Sequence, residues 1–206
     1  NNNYRYLPGA YIMSGRDCWW GKCTFCSWTT LYPSGGYRHF SVDRVFEEIK
    51  SLYQNYHVKE IFDDSGTIPV GQWLEDLCQR LIASGLNQKI RLSCNLRFGV
   101  LNQRQYSLMA KAGFRFLLYG YESANQSTLN RINKNNLVEN AEKDLRMAKK
   151  AGLQPHVTIM IGYPWETKTD ASVTLTAAKK LFRLGLVDSM QATIVIPYPG
   201  TPLFDY

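Results

Sequence analysis

Short apolar runs alternate with longer amphipathic stretches along the chain. Six of these runs predict strands, over residues 10–13, 58–62, 89–94, 114–119, 156–161 and 190–196. Several are apolar nearly throughout, as in VTIMI at 157–161, which is typical of strands that are covered on both faces. Strands that alternate with helices favour βαβ units, so the pattern predicts a parallel sheet.

The stretches between the runs carry apolar residues at helical spacing and have recognisable ends. Ser41 and Asn102 are each placed to cap the start of a helix. Gly113, Gly152 and Gly185 follow the last apolar turn of a helix, where glycine is the expected stop signal. Five helices are predicted in this way. The first begins after Ser41, and the other four cover residues 71–83, 102–113, 137–150 and 171–184.

The number of strands limits the fold. A complete eight-unit barrel takes about 250 residues, so six strands in a chain of 206 residues predict an α/β fold with a partial, open TIM-type (βα)6 barrel. Right-handed crossovers place the carboxyl ends of all parallel strands on one rim. Ligand sites in such folds lie at that rim, so functional residues are expected directly after each strand.

Composition adds few constraints. The length and the 45% hydrophobic content suit one domain with one sizeable core. The formal net charge is +7, but the basic residues are scattered along the chain, which is typical of solvated helix faces, so a nucleic-acid partner is not indicated. No apolar run approaches the ~20 residues of a membrane helix, and no export signal is found near the start. We therefore expect a cytoplasmic protein without a membrane segment.

Three of the five cysteines, Cys18, Cys23 and Cys26, lie within nine residues directly after the first predicted strand. Thiolates are the soft ligands that iron-sulfur clusters select, and three of them leave one iron of a four-iron cluster open to a ligand. The spacing alone also permits a structural zinc site with His39 as the fourth ligand. Cys78 falls in a predicted helix and Cys94 in a predicted strand, where free cysteine packs as a small hydrophobic residue.

The segment CWWGKCTFC at 18–26 resembles the cluster motif of the radical S-adenosylmethionine (radical SAM) superfamily, including Phe25 just before the last cysteine. The usual gaps between the cysteines are three and then two residues, whereas here they are four and then two, which is similar to members associated with cobalamin. In that family three cysteines hold a 4Fe-4S cluster, and S-adenosylmethionine chelates its open iron. The resemblance therefore implies Cys18, Cys23 and Cys26 as cluster ligands and Phe25 beside the cofactor.

Further segments are similar to family segments in the same order: DDSGT at 63–67, a stretch from Ala112 to Lys134, GYPWET at 162–167 and PYPGTP at 197–202. The resemblance covers nearly the whole chain and implies one radical SAM core domain over residues 1–206. Because the chain begins with Asn1 and stops just after the last predicted strand, we expect it to be a fragment of a longer multidomain protein.

The resemblance also implies the contacts of S-adenosylmethionine. These residues are expected to be Asp64, Ser65, Gly66, Asn95, Arg97, Glu122, Ser123, Met160 and Gly162. The DDSGT segment would accept from the amino group, although a capped loop explains it almost equally well. Arg97 or Lys134 would meet the carboxylate and Glu122 the ribose, while a buried Arg97–Glu122 salt bridge is the competing structural interpretation. Gly162 would let the backbone approach the adenine edge beside Met160.

The implied reaction is reductive cleavage of S-adenosylmethionine to methionine and a 5′-deoxyadenosyl radical, with the electron supplied by an external flavodoxin-type or ferredoxin-type donor. The substrate is not encoded in recognisable residues, so methyl transfer, methylthiolation and cyclisation all stay open. No Asp-x-His-x-x-Gly motif is found, so any cobalamin would be held by a domain outside this chain. The alternatives are a non-enzymatic iron-sulfur or zinc-stabilised binding module and an ordinary barrel enzyme such as an aldolase.

Overall fold

The structure is a computed structural model that describes residues 4–31 and 36–206. The strands of this part are β1 (Gly9–Ile12), β2 (Gly15–Arg16), β3 (Arg38–His39), β4 (Glu60–Asp63), β5 (Arg91–Leu96), β6 (Phe114–Glu122), β7 (Gln154–Ile161) and β8 (Ser189–Ile194). Its helices are α1 (Trp28–Leu31), α2 (Val42–Tyr56), α3 (Gln72–Ala83), α4 (Gln103–Lys111), α5 (Gln126–Arg131), α6 (Val138–Lys150) and α7 (Lys168–Arg183), with a 3-10 turn at Leu86–Gln88.

One six-stranded parallel sheet organises the molecule, with the strand order β1-β4-β5-β6-β7-β8. β1 and β8 are the two edges of the sheet, so the barrel is open. The predicted partial α/β barrel is therefore confirmed, and each of the six predicted strands is present within a few residues. The short antiparallel pair β2–β3 and the helices α1 and α5 were not predicted, because elements of two to six residues leave little periodicity in a sequence.

Side-chain caps fix the first residues of several helices. The Ser41 side chain accepts from the backbone N–H of Arg44 at 3.2 Å, and Asn102 forms a reciprocal capping box with Gln105, as predicted. α7 begins three residues earlier than predicted, because Thr167 caps it in a second capping box. Helix faces and strands share one apolar core, in which Cys78 and Cys94 are fully buried as predicted.

One face of the sheet carries a row of rings that crosses several strands. Tyr11 of β1 contacts Phe62 of β4, Phe62 contacts Phe116 of β6, and Phe116 contacts His156 of β7, with ring centroids 5.4 to 6.4 Å apart. Because side chains alternate along a strand, Phe116, Leu118 and Gly120 lie on this same face, which continues toward the carboxyl end of β6. That end of the face is where functional residues were expected.

Within residues 4–31 and 36–206, no helix is long and apolar enough to cross a bilayer.

Candidate active site at the carboxyl edge of the sheet

A cavity of about 190 Å³ lies at the carboxyl ends of the central strands. It is lined by Cys18, Cys23, Phe25, Cys26, Trp28, Gly66, Thr67, Asn95, Leu96, Arg97, Leu118, Gly120, Glu122, Lys134 and Thr158. A larger groove of about 670 Å³ runs between α6 and α7, but its walls are aliphatic side chains and exposed charges, with no thiol among the residues that line it. The smaller cavity therefore concentrates the reactive side chains.

The cysteine loop folds back on itself and is attached to the end of α5. The backbone N–H of Cys26 donates to the carbonyl of Cys23 at 3.3 Å, which forms a tight turn. The N–H of Thr24 donates to the carbonyl of Ile132 at 3.0 Å, and the indole Nε1 of Trp20 donates to the carbonyl of Asn133 at 2.7 Å. These contacts bring the three cysteines, which are far apart in an extended chain, to one cavity.

The donor set of the cavity consists of three thiols. The described residues include all five cysteines, and none of them forms a disulfide bond. In the same part of the chain, no group of three or more His, Cys, Asp or Glu side chains is placed to hold a metal ion. A cluster has several irons at separate corners, so its thiolates need to line one cavity rather than meet at one point. His39, the predicted fourth ligand of a zinc site, does not line this cavity.

A glycine makes room for the cysteine loop. A Cβ atom at Gly66 would lie 2.9 Å from the Cβ of Cys18 and 3.2 Å from the carbonyl oxygen of Asp17. Only a residue without a side chain allows the loop after β4 to lie this close to the first cysteine. The side-chain Oδ1 of Asp17 accepts from the N–H of Cys18 at 2.7 Å and fixes that approach.

Burial favours the protonated form of two of the cavity thiols, Cys23 and Cys26. Burial raises the pKa of Cys26 to about 11. It also raises the pKa of Cys23, although the positive charges of Lys134 and Arg97 oppose this shift. Coordination to iron requires the thiolate form, so metal binding at these residues would release protons.

Lys134 and Glu122 form a buried ion pair in the wall of the cavity. Nζ of Lys134 lies 2.7 Å from Oε1 of Glu122, and the two residues are 7% and 5% exposed. Burial by itself lowers the pKa of Lys134, but the charges of Glu122 and Cys23 outweigh it, and the pKa of Lys134 is raised. The competing interpretation, a buried salt bridge between Arg97 and Glu122, is therefore wrong in its partner, because the structure pairs Glu122 with Lys134.

The backbone around this pair explains how it forms. Glu122 has a left-handed φ of 60°, at the point where the register between β6 and β7 shifts. Asn133 and Asn135 also have left-handed φ values, 52° and 54°, on either side of Lys134. Asn tolerates this conformation better than most residues, and the two turns direct Lys134 inward. Strained backbone of this kind is concentrated at functional sites.

Arg97 lies against the cysteine loop. Its Nη1 is 4.0 Å from Sγ of Cys23, and its guanidinium carbon lies 5.5 Å and 5.1 Å from the ring centroids of Trp19 and Trp20. Its Nη2 donates to the carbonyl of Lys134 and to Oδ1 of Asn136. Two cationic side chains, Arg97 and Lys134, thus line the same cavity as the three thiols.

Comparison with known proteins decides the family. The profile of the Radical SAM superfamily matches residues 12–190, which is most of the chain. The chain belongs to the radical SAM superfamily. The resemblance that the sequence motifs indicated is thereby confirmed.

Relatives of this radical SAM chain include an uncharacterized methyltransferase of Pyrococcus horikoshii, which is 33% identical over 202 residues, 97% of this chain and 42% of that protein. The anaerobic magnesium-protoporphyrin IX monomethyl ester cyclase of Rubrivivax gelatinosus is 24% identical over 184 residues, 88% of this chain and 32% of that protein. The chain therefore spans less than half of the length of these relatives.

A solved structure shares the fold. The radical S-adenosylmethionine methyltransferase TsrM from Kitasatospora setae, determined with cobalamin and a 4Fe-4S cluster bound, superposes with a TM-score of 0.80 at 16% identity. The superposition covers 94% of this chain and 38% of that chain. At this level of identity the likeness concerns the fold, and it agrees with the open barrel described above.

The structure brings only part of the predicted radical SAM site together. The three cysteines, Phe25, Gly66, Asn95, Arg97 and Glu122 line the cavity. Asp64, Ser65, Ser123, Met160 and Gly162 are not among the residues that line it.

Two of these residues after β4 have roles inside the fold. Ser65 is fully buried, donates to Oδ1 of Asp63 at 2.6 Å and accepts from the N–H of Gly15 at 2.9 Å, so its hydroxyl fixes the loop. Asp64 is exposed, and Nδ2 of Asn95 lies 3.4 Å from its Oδ1 and donates to the carbonyl of Ser65 at 2.8 Å. Asn95 is thus the group that connects this loop to the cavity.

The remaining three residues are also absent from the lining of the cavity. The hydroxyl of Ser123 is 3.2 Å from that of Thr174 on α7, and Ser123 is fully buried there. Met160 packs on a small apolar cluster around Tyr163, and the N–H of Gly162 donates to Glu166 at 2.5 Å. These contacts give all three residues a place in the packing of the fold, and their contact with S-adenosylmethionine stays a prediction.

Other residues that line the cavity were missed by the sequence reasoning. Thr158 belongs to the interior of a predicted strand, and Gly120 lies inside the observed β6, one residue after the predicted end of that strand. The alternation of side chains along a strand could have indicated them, because it places Leu118 and Gly120 on one face of β6. Thr158 of β7 lies beside Gly120 in the sheet. Thr67 belongs to the DDSGT segment but was not among the predicted contact residues, and Trp28 had no signal of either kind.

Proposed function

We propose that this radical SAM chain binds a 4Fe-4S cluster through the thiolates of Cys18, Cys23 and Cys26, and binds S-adenosylmethionine beside it. The observation that supports the proposal is one cavity, at the carboxyl edge of a parallel sheet, that is lined by three unbridged thiols and two cationic side chains. Soft thiolates suit iron, and the cations offset part of their negative charge.

A cluster held by Cys18, Cys23 and Cys26 would supply the chemistry of one-electron reduction of the sulfonium of S-adenosylmethionine, in which a carbon–sulfur bond would break to give methionine and a 5′-deoxyadenosyl radical. The chain's own residues bind and orient S-adenosylmethionine. Asn95 is placed to meet polar groups of the ligand, and the carboxylate of Glu122 accepts from hydroxyl groups. Gly66 allows close approach, and the ring of Phe25 covers the cavity beside the last cysteine.

We propose methyl transfer as the overall reaction. The relative at 33% identity is named a methyltransferase, and the structural neighbour TsrM is a methyltransferase as well. Cyclisation is the second candidate, favoured by the more distant cyclase relative. Any cobalamin would be held outside this chain, in which no Asp-x-His-x-x-Gly motif is found. The electron donor is proposed to be of the flavodoxin or ferredoxin type, in the cytoplasm.

Anaerobic reconstitution tests the cluster and its response to S-adenosylmethionine. The chain is loaded with iron and sulfide, reduced with dithionite, and examined by electron paramagnetic resonance with and without S-adenosylmethionine. We expect about four irons per chain, a spectrum that changes on adding S-adenosylmethionine, and 5′-deoxyadenosine as a product. An unchanged spectrum together with no 5′-deoxyadenosine would refute radical SAM chemistry and leave an iron-sulfur carrier.

Two cysteine variants are a matched pair for the ligand assignment. Cys23→Ala removes a thiol that lines the cavity, and we expect it to abolish the cluster absorption. Cys78→Ala removes a thiol that is fully buried in the apolar core, and we expect it to retain the full iron content. A Cys23→Ala variant that still held four irons would show that the ligand assignment is wrong.

A further inference from the structure

Arg97 is held almost completely inside the protein, with only 5% of its surface exposed. Its Nη2 has two protein acceptors, the carbonyl of Lys134 and Oδ1 of Asn136, the latter at 3.2 Å. A bidentate grip on a carboxylate requires guanidinium nitrogens that are free to donate side by side. Because Nη2 already donates twice, Arg97 is poorly prepared to receive the carboxylate of S-adenosylmethionine.

The other terminal nitrogen points to the cysteine loop. Nη1 lies 4.0 Å from Sγ of Cys23, which is the most buried of the three cavity thiols. As a thiolate, Cys23 would be a stronger acceptor for this charged donor than the thiol is. The arrangement is therefore directed at a sulfur ligand.

The long gap between the first two cysteines supplies the support for Arg97. Trp19 and Trp20 both belong to this four-residue gap, and both rings lie within 5.5 Å of the guanidinium carbon. Trp20 is itself fixed, because its Nε1 donates to the carbonyl of Asn133 at 2.7 Å. Aromatic faces attract a guanidinium and restrict its orientation. The two tryptophans thus hold Arg97 with Nη1 toward Cys23.

We propose that Arg97, clamped by Trp19 and Trp20, donates to the Cys23 thiolate and raises the reduction potential of the cluster. Reduction adds one electron, supplied by the external donor, and therefore one negative charge, so a fixed cation beside a sulfur ligand stabilises the reduced form more than the oxidised form. Arg97 is accordingly a positioning and tuning residue, not a contact of S-adenosylmethionine. The inference rests on the proposed function, since it requires a cluster on the three cysteines.

The test measures the midpoint potential of the reconstituted chain without S-adenosylmethionine, by electron paramagnetic resonance at poised potentials. Arg97→Gln removes the charge and keeps much of the length. We expect it to retain the cluster and to weaken reduction at least tenfold, which is about 59 mV more negative for a one-electron couple. Arg97→Lys, which keeps the charge, is expected to lie between the two. Arg104→Gln is the control, because Arg104 is an exposed arginine that pairs with Glu75. We expect the midpoint potential of the cluster to be unchanged in this variant.

A second measurement separates this role from ligand binding. The affinity for S-adenosylmethionine is measured by titrating the cluster spectrum. An Arg97→Gln variant with an unchanged potential and weakened S-adenosylmethionine binding would overturn the proposal and return Arg97 to the ligand's carboxylate. If Arg97→Gln holds no iron, Trp19→Leu decides, because it removes one ring of the clamp and leaves the hydrogen bond between Trp20 and Asn133 that anchors the cysteine loop. A more negative potential in that variant supports the proposal, and an unchanged one overturns it. If the unaltered chain itself assembles no cluster, the proposed function fails, and this inference fails with it.

Discussion

The buried pair between Glu122 and Lys134 gives the sharpest prediction for stability. Glu122→Gln replaces a carboxylate with a neutral amide of nearly the same shape and leaves the Lys134 ammonium buried. Lys134→Met replaces the ammonium with a neutral side chain of similar length and leaves the carboxylate buried. Glu122→Gln also keeps a non-glycine residue at the left-handed φ of 60°, so backbone strain is equal in both proteins being compared.

The geometry sets the magnitude. The two charged atoms are 2.7 Å apart, and the two residues are 5% and 7% exposed. Removing one partner of such a pair leaves an uncompensated buried charge, which typically costs about 3–5 kcal/mol. We expect about 3 kcal/mol for Glu122→Gln, because the amide oxygen still accepts from Lys134. The double variant buries two neutral groups, so it should be more stable than either single variant.

The assay is urea unfolding of the chain before it is loaded with iron, at pH 7 and under reducing conditions. With an m-value of about 3 kcal/mol per molar urea, a loss of about 3 kcal/mol lowers the midpoint by about 1 M. Glu47→Gln is the matched control, because it breaks the exposed pair with Lys50, for which about 0.5 kcal/mol or less is expected. If both single variants unfold within 0.3 M of the unaltered chain, or the double variant is the least stable of the three, the pair does not stabilise the fold as argued.

Three further expectations follow from the same contacts. Gly66→Ala should leave the fold intact but reduce cluster assembly several-fold, measured as iron per chain, because its Cβ would meet Cys18 at 2.9 Å. Burial lowers the pKa of His156 in the folded chain, so the unfolded chain binds the proton more tightly, and stability should fall as the pH drops below about 6.5, by at most about 1.4 kcal/mol per unit. His156→Gln should remove that part of the slope in urea midpoints measured from pH 7 to 5. Glu122→Gln should make the cluster potential less negative, since it leaves the charge of Lys134 unbalanced near Cys23, and an unchanged or more negative potential would contradict this.

The strands and helices could be predicted from the sequence because buried apolar residues recur with the period of the element that carries them. Apolar runs such as residues 157–161 and side-chain caps such as Ser41 and Asn102 are local signals, and the structure agrees with them. β6 was predicted to end at Tyr119, where the following glycine resembles a break, whereas the strand continues to Glu122 through an irregular register. A glycine inside a strand marks a close approach as well as an end.

The site was predictable in its residue types and less so in its contacts. Position after a strand places a residue on the rim, but it does not fix the direction of the side chain. Ser65 and Ser123 show this, because both are polar rim residues whose hydroxyls are used inside the fold. The partner of Glu122 depends on left-handed backbone at Asn133 and Asn135, which no periodicity in the sequence encodes.

The two cationic side chains that line the cavity, Lys134 and Arg97, differ in whether a carboxylate neutralises their charge. Lys134 is paired with Glu122, so together they add little net charge next to the thiols. In the described part of the chain, the contacts of Arg97 are carbonyl oxygens, aromatic rings and the Cys23 sulfur, and none of them is a carboxylate. Its charge is therefore uncompensated until negative sulfur ligands are present. Loss of Arg97 and loss of Glu122 should for this reason move the cluster potential in opposite directions, a pattern that general loosening of the cavity would not produce.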